Sequence, residues 1–168
     1  MTGGHTSAVE KLEDNPTAFV PSSNEEPNNP IMTTDPHLLQ RLPHVLLVDD
    51  NAINLKLLVT FMKKIKLPYA EAVNGLEAYE KFCAAQEPFE FVLMDLQMPV
   101  MDGMESTRKI RQYEAANRSQ KPSIIIAITG VGHESTRKEA MDAGMSQYLT
   151  KPVKFKALQQ LLQIQRPT

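Results

Sequence analysis

Residues 45–51 have the sequence VLLVDDN, a continuous apolar run that ends in two aspartates and an asparagine. A short apolar run of this kind is typical of a strand that is covered on both faces of a sheet. The next stretch, residues 52–66, is predicted as a helix with an apolar stripe at a spacing of four. That stripe consists of Ile53, Leu57, Phe61 and Ile65. A strand, an acidic turn and a helix therefore form the first unit of the fold.

The same strand–helix unit recurs four more times along the chain. Further strands are predicted at residues 68–73, 89–94, 123–128 and 147–149, and further helices at residues 76–86, 103–117, 133–143 and 154–165. Gly144 is expected to terminate the fourth helix. Strict alternation of strands and helices implies a parallel sheet with helices on both faces, connected by right-handed crossovers. The sequence therefore predicts an α/β fold, a doubly wound domain with five strands.

Composition excludes several function classes. The 168 residues are 42% hydrophobic and 23% charged, with a net charge of −2, so no global charge favours nucleic acid or an anionic membrane. The single cysteine cannot form an internal disulfide or a thiolate metal cluster. The amino-terminal stretch has neither a basic region nor an apolar core, and no apolar run reaches the length of a membrane helix. We therefore expect an intracellular protein, cytoplasmic or nuclear, with no membrane segment and no direct nucleic-acid contact.

The first 43 residues differ from the rest of the chain. They carry two basic and six acidic residues, a net charge of −4 that leaves +2 for the remainder, and six of the twelve prolines. A polar, proline-rich and aperiodic segment cannot bury enough surface to offset its ordering entropy. We predict a disordered segment at residues 1–43 and a folded domain at residues 44–168.

Chemically distinctive side chains stand where the predicted strands end. The first strand ends in Asp49 and Asp50, the third in Asp95, the fourth in Thr129, and the fifth is followed by Lys151. In an open parallel sheet these ends meet at one edge, where ligands bind. Crowded carboxylates repel one another unless a cation is bound, and hard oxygen ligands suit Mg²⁺. The sequence therefore predicts a magnesium site at this edge.

The same set of residues predicts phosphoryl chemistry. A central carboxylate, Asp95, is able to attack phosphorus and form an aspartyl phosphate. Lys151, the metal and the Thr129 hydroxyl would then stabilise the charge of the phosphoryl group. Taken singly, each residue has an ordinary structural explanation as a helix cap, a strand residue or a surface charge. Their conjunction at successive strand ends is what favours a functional site.

These motifs resemble the receiver domains of two-component response regulators. The motifs are VLLVDDN at 45–51, FVLMDLQMPVMDG at 91–103, IIIAITG at 124–130 and QYLTKP at 147–152. The match covers roughly residues 44–165. The sequences of the motifs are most similar to those of receivers in fungal-type hybrid histidine kinases. The resemblance implies a flavodoxin-like (βα)5 fold with strand order 2-1-3-4-5.

The resemblance also implies a role for each matching residue. Asp95 would be the phosphoacceptor, and Mg²⁺ would be held by Asp50, Asp95 and the Gln97 carbonyl, with Asp49 acting directly or through water. Lys151 and Thr129 would contact the phosphoryl group. The remaining implied features are Tyr148 as a switch aromatic, a loop shaped by Asp102 and Gly103, and a cis Lys151–Pro152 bond, since only X–Pro bonds adopt cis at modest cost.

Partners follow from the same resemblance. A histidine kinase or histidine phosphotransfer protein would donate the phosphoryl group, and the face formed by the fourth helix, fifth strand and fifth helix would repack. That face would serve a partner or a weak dimer of an otherwise monomeric protein. The chain would be a phosphoacceptor without a kinase core, promoting only its own phosphorylation and dephosphorylation. Gly130, where the family commonly has alanine, and the apolar Val131 depart from the pattern and suggest a looser loop and slow hydrolysis.

Three other functions remain as alternatives. A haloacid-dehalogenase-type phosphatase needs an aspartate two residues after its nucleophile, where this chain has Gln97. A flavodoxin-like FMN binder needs a phosphate loop after the first strand, where Asp49 and Asp50 would repel phosphate. A simple interaction module would not require an intact acidic site.

Overall fold

A computed structural model describes residues 42–117, 121–130 and 132–164. Its strands are β1 Val45–Val48, β2 Tyr69–Ala72, β3 Phe91–Asp95, β4 Ile124–Thr129 and β5 Gln147–Thr150. Its helices are α1 Ala52–Ile65, α2 Gly75–Ala84, α3 Gly103–Ala116, α4 Glu134–Asp142 and α5 Phe155–Ile164. All strand pairs are parallel, in the order β2-β1-β3-β4-β5. The predicted fold and strand order are confirmed.

Strand register places the functional strand ends at one edge. Val48, the last residue of β1, is level with Met94 of β3. Asp95 is level with Ile128 of β4, so Thr129 lies one residue further along the neighbouring strand. Thr129 in turn is level with Thr150, which precedes Lys151. Asp95 and Thr129 are thus the last residues within their strands.

The sheet buries both of its faces, as the continuous apolar strands predict. Alternate strand residues such as Leu47, Leu93 and Ile126 pack with α1 and α5 in one cluster. The intervening residues, such as Val92 and Ile125, pack with α2, α3 and α4 in a second cluster. The predicted apolar side of α5 is confirmed, since Leu158 and Leu162 are buried in the first cluster.

The predicted apolar stripe of α1 is wrong at its amino-terminal end. Ile53 is 79% exposed and Leu57 is 37% exposed, whereas the buried residues of α1 are Leu55, Leu58 and Met62. A spacing of four drifts by about 40° per step on a helix of 3.6 residues per turn, so such a stripe winds away from the sheet. The buried set uses spacings of three and four and stays on one face.

Polar caps start the helices that border the acidic edge. The Asn51 side chain accepts hydrogen bonds from the amides of Ile53 and Asn54 at the start of α1. Asn74 and Asp102 cap α2 and α3 in the same way. At the other end of the domain, Gly144 follows α4 with φ +103°, a conformation that favours glycine, as expected for a helix terminator.

The prediction of disorder at residues 1–43 falls, apart from Leu42 and Pro43, outside the described residues and stays a prediction. Within the described ranges, no helix combines the length and the apolarity that crossing a bilayer requires.

Candidate phosphoryl and magnesium site

Three carboxylates converge at the carboxyl ends of β1 and β3. Asp49, Asp50 and Asp95 each place one oxygen within 4.8 Å of the others. Asp49 and Asp95 are buried, with exposed fractions of 1% and 4%, and Asp50 faces solvent. The convergence follows from the parallel pairing of β1 with β3. The sequence prediction that these side chains meet is confirmed by the geometry.

Lys151 supplies the positive charge of the cluster. Its Nζ lies 2.8 Å from Asp49 Oδ2 and 3.1 Å from Asp95 Oδ2. The Lys151 amide also donates to the Thr129 carbonyl at 2.8 Å, which ties the end of β5 to β4. The Lys151–Pro152 peptide bond is cis, as expected.

The orientation of Asp49 depends on two residues that the sequence analysis did not single out. Asp49 Oδ1 accepts hydrogen bonds from the Asn51 amide at 2.9 Å and from Asn54 Nδ2 at 3.3 Å. The first of these contacts is a short-range turn of a kind that aspartate commonly forms. The contact with Asn54 could have been predicted from the sequence, because Asn54 lies on the first turn of α1, next to the end of β1 that Asp49 follows.

Burial and neighbouring charges shift the pKa values of Asp95 and Lys151. Burial raises the pKa of Asp95 above its ordinary value, and the Asp49 carboxylate acts in the same direction, against hydrogen bonds from Lys151 and the Gln97 amide. Burial alone would lower the pKa of Lys151, but hydrogen bonds to Asp49 and Asp95 outweigh it and raise that pKa. The cluster therefore favours the charged form of Lys151 and disfavours the ionised form of Asp95.

Thr129 and Tyr148, the expected switch residues, line one small cleft with Arg137 of α4. Thr129 is buried at the end of β4, and Tyr148 is half-buried on β5. The Arg137 guanidinium stacks on the Tyr148 ring at 4.6 Å from its centroid. Arg137 was not singled out from the sequence, because a cation–π pair between a helix and a strand leaves no spacing signal.

The loop between β3 and α3 holds the backbone around Asp95. The Gly103 amide donates to the Leu96 carbonyl at 3.0 Å, and the Leu96 amide donates to the Ile128 carbonyl at 3.2 Å. Gln97 is exposed in this loop. Val100, 79% exposed, has φ 70°, a left-handed conformation that is strained for a β-branched residue. Val131, which departs from the family pattern, lies outside the described residues.

The donor set fits a hard divalent cation. The converging ligand atoms are carboxylate oxygens, and one of the three carboxylates faces solvent, where water would complete an octahedral shell. Lys151 neutralises only part of the negative charge of Asp49, Asp50 and Asp95. Mg²⁺ suits this arrangement better than a soft metal, which prefers sulfur and imidazole ligands.

Comparison with protein families identifies one match. The model of the response regulator receiver domain matches residues 45–163. The response regulator SSK1 of Arthrobotrys oligospora is 38% identical over 142 residues, which cover 69% of this chain and 13% of that protein. The response regulator mcs4 of Schizosaccharomyces pombe is 39% identical over 132 residues, which cover 66% of this chain and 25% of that protein. The chain thus spans a quarter or less of the length of these relatives.

Solved receiver domains share the fold. One is the receiver domain of Saccharomyces cerevisiae Ssk1, crystallised with the histidine phosphotransfer protein Ypd1. It has a TM-score of 0.68 and 36% identity, over 72% of this chain and 86% of that chain. Another is the receiver domain of a Pseudomonas aeruginosa sensor histidine kinase with a magnesium ion in its active-site cleft. It has a TM-score of 0.64 and 31% identity, over 74% of this chain and 97% of that chain.

Gly103 is expected to tolerate no side chain. A Cβ at this position would lie 2.1 Å from the Asp95 carbonyl oxygen and 2.9 Å from Met94 Cγ. Because β3 or α3 would have to shift, Gly103→Ala should lower the free energy of unfolding by about 2 kcal/mol or more, as measured by urea denaturation. Gly130→Ala is the matched control, since a Cβ there meets no atom within 4 Å. An equal loss at both positions would contradict this packing argument.

The raised pKa of Asp95 predicts a pH-dependent stability. A carboxyl whose pKa is higher in the folded than in the unfolded state destabilises the fold when it ionises. In the presence of a chelator, Asp95→Asn should therefore melt at a higher temperature than the wild type at pH 7. The gain should shrink as the pH falls through the folded-state pKa and vanish below the unfolded value of about 4. Thermal melts across this range provide the test, and a variant that melts below the wild type at pH 7 would refute it.

Proposed function

Since the chain belongs to the family of response regulator receiver domains, we propose that it accepts a phosphoryl group on Asp95 from a phosphohistidine donor. The observation that carries this proposal is the position of Lys151 Nζ, 2.8 Å from Asp49 and 3.1 Å from Asp95, among three converging carboxylates. A nucleophilic carboxylate, a fixed ammonium and a cation site are the parts that phosphoryl transfer requires.

Asp95 is the nucleophile of the proposed reaction. A carboxylate oxygen of Asp95 attacks phosphorus, the new O–P bond forms, and the N–P bond to the donor histidine breaks. The Lys151 ammonium, already next to Asp95 Oδ2, pairs with the phosphoryl oxygens as charge develops on them. Thr129 lies one residue further along the neighbouring strand, and its hydroxyl donates a hydrogen bond to the phosphoryl group. A magnesium ion, when bound, neutralises part of the phosphoryl charge.

Asp49, Asp50, Asp95 and the Gln97 carbonyl are the proposed magnesium ligands. Support comes from the oxygen donor set and from the solvent-facing position of Asp50. The magnesium-bound receiver domain from Pseudomonas aeruginosa provides a precedent in a chain that is 31% identical.

A histidine phosphotransfer protein is the proposed donor class. The Ssk1 receiver, 36% identical, crystallises with such a protein. Ile53 and Leu57 on α1 offer exposed apolar side chains close to the acidic turn at Asp50. An exposed apolar patch next to a polar reaction centre suits docking of a partner helix. We place the receiver at residues 44–168, in the cytoplasm or nucleus, as a monomer or a weak dimer through the α4-β5-α5 face.

Thr129 and Tyr148 are the proposed switch. A phosphoryl group on Asp95 would draw Thr129 towards it, and the cleft that both residues line would change shape. Tyr148 and the face formed by α4, β5 and α5 would then repack as a two-state element biased by a local charge.

Phosphorylation should occur once and only on Asp95. Incubation of the full chain with acetyl phosphate and Mg²⁺ should give a single phosphoryl adduct by intact mass. Two carboxylates contact the Lys151 ammonium, but Asp49 has its other oxygen occupied by hydrogen bonds from Asn51 and Asn54, which leaves Asp95 as the nucleophile. Asp95→Asn should abolish the adduct and a chelator should prevent it. The matched control Asp142→Asn, an exposed aspartate at the end of α4, should retain it. An adduct of undiminished yield in Asp95→Asn would refute the assignment.

Magnesium should stabilise the folded chain through Asp50. A ligand that binds only the folded state raises the melting temperature with its concentration. Asp50→Asn replaces a proposed carboxylate ligand by a neutral amide, so it should weaken Mg²⁺ binding at least about tenfold, the lower end of the cost of outer-shell substitutions at metal sites. Thermal melts over a magnesium titration measure the shift. Unchanged magnesium dependence in Asp50→Asn would place the cation elsewhere.

A further inference from the structure

A cavity of about 170 Å³ lies at the amino-terminal edge of the sheet, the end opposite to Asp95. It is enclosed by α2, α3 and the segments that lead into β3 and β4. Its lining includes Phe82, Phe89, Tyr113, Glu114, Lys121 and Ser123. None of these residues has a part in the phosphoryl chemistry proposed above.

Aromatic rings form the walls of this cavity. The Phe82 ring lies 6.1 Å from Phe89, at 31°, and 6.1 Å from Tyr113, at 88°. Phe89 is only 4% exposed and is backed on its other side by the His44 ring at 4.7 Å. The Tyr113 hydroxyl donates to the Cys83 carbonyl at 3.3 Å. Because each ring is held by neighbours, the cavity is preformed.

The polar groups at the back of the cavity are already paired. Ser123, 5% exposed, donates its hydroxyl to the Phe89 carbonyl and its amide to Glu114 Oε1 at 2.7 Å. Glu114 Oε2 pairs with Arg111 at 2.5 Å, so the arginine neutralises this carboxylate. Among the described lining residues, the exposed Lys121 therefore carries the charge that is left for an incoming ligand.

We propose that this cavity binds a small planar aromatic carboxylate. Its ring would lie against Phe82, Phe89 and Tyr113, and its carboxylate would pair with the Lys121 ammonium. Size supports the ring, since a cavity of about 150 Å³ is large enough to hold one benzene molecule. Charge supports the carboxylate, because Lys121 is the cation among the described lining residues and the acidic one, Glu114, is paired with Arg111. The site lies outside the proposed phosphorelay function and is independent of it.

Benzoate is the probe for this site. In amide NMR titrations of the full chain, benzoate should shift resonances of residues around Phe89, Tyr113 and Lys121, with a dissociation constant on the order of 1 mM, ordinary for a ligand of this size. The neutral isostere benzamide should bind more weakly, and benzylammonium more weakly still. Absence of shifts at these residues, or tighter binding of benzylammonium, would overturn the proposal.

Two variants separate the ring contact from the charge contact. Lys121→Gln should weaken benzoate binding about three- to tenfold and leave benzamide unchanged, whereas Lys138→Gln, an exposed lysine on α4, should change neither. Phe82→Leu should weaken both probes, because it replaces an aromatic wall by a side chain of similar volume. Equal benzoate binding in Lys121→Gln and the wild type would rule out the anionic class. Phosphorylation of Asp95 should be unchanged in all three variants.

Discussion

The charge balance around Lys151 is the constraint on which the acidic edge depends. Three carboxylates within 4.8 Å of one another repel, and two of them are buried away from water, where that repulsion is weakly screened. One ammonium, in contact with Asp49 and Asp95, offsets part of the cost. The raised pKa of Asp95 shows that burial and repulsion still outweigh that help. A site with this imbalance favours the binding of a cation, because a cation would offset the repulsion between the carboxylates.

The packing of the backbone makes this imbalance possible. Gly103 approaches the Asp95 carbonyl more closely than any side chain would allow, and the α2 residue Gly75 sits in the same way against Met101 and Asp102. Asp102 at the same time caps α3. The loop after β3 therefore packs closely against α2 and α3, which limits the movement of the backbone at Asp95. The loop that packs against these helices also follows Asp95 directly, which is why a change in its packing is expected to affect the site.

The sequence predicted the features that depend on chain order and residue type. Alternating apolar runs determine the parallel sheet, and the parallel sheet brings Asp49, Asp95 and Lys151 together. It did not predict which face of α1 is buried, because the apolar residues of that helix cover more than one face and only contact with the sheet selects Leu55 over Ile53. Nor did it predict the stacking of Arg137 on Tyr148, which depends on the relative placement of a helix and a strand.

A series of neighbouring residues connects Asp95 with α4 on the surface of the domain. Asp95 contacts Lys151, and the Lys151 amide is bonded to the Thr129 carbonyl, so the ends of β4 and β5 cannot move independently. Thr129 and Tyr148 line one cleft, and Arg137 of α4 covers the Tyr148 ring. In the proposed switch, a phosphoryl charge on Asp95 would act first on Lys151, then on the hydrogen-bonded ends of β4 and β5, and then on the Tyr148 ring covered by α4. The first two steps are direct contacts and the third is a shared cleft, so the proposed switch would need no large rearrangement of the sheet.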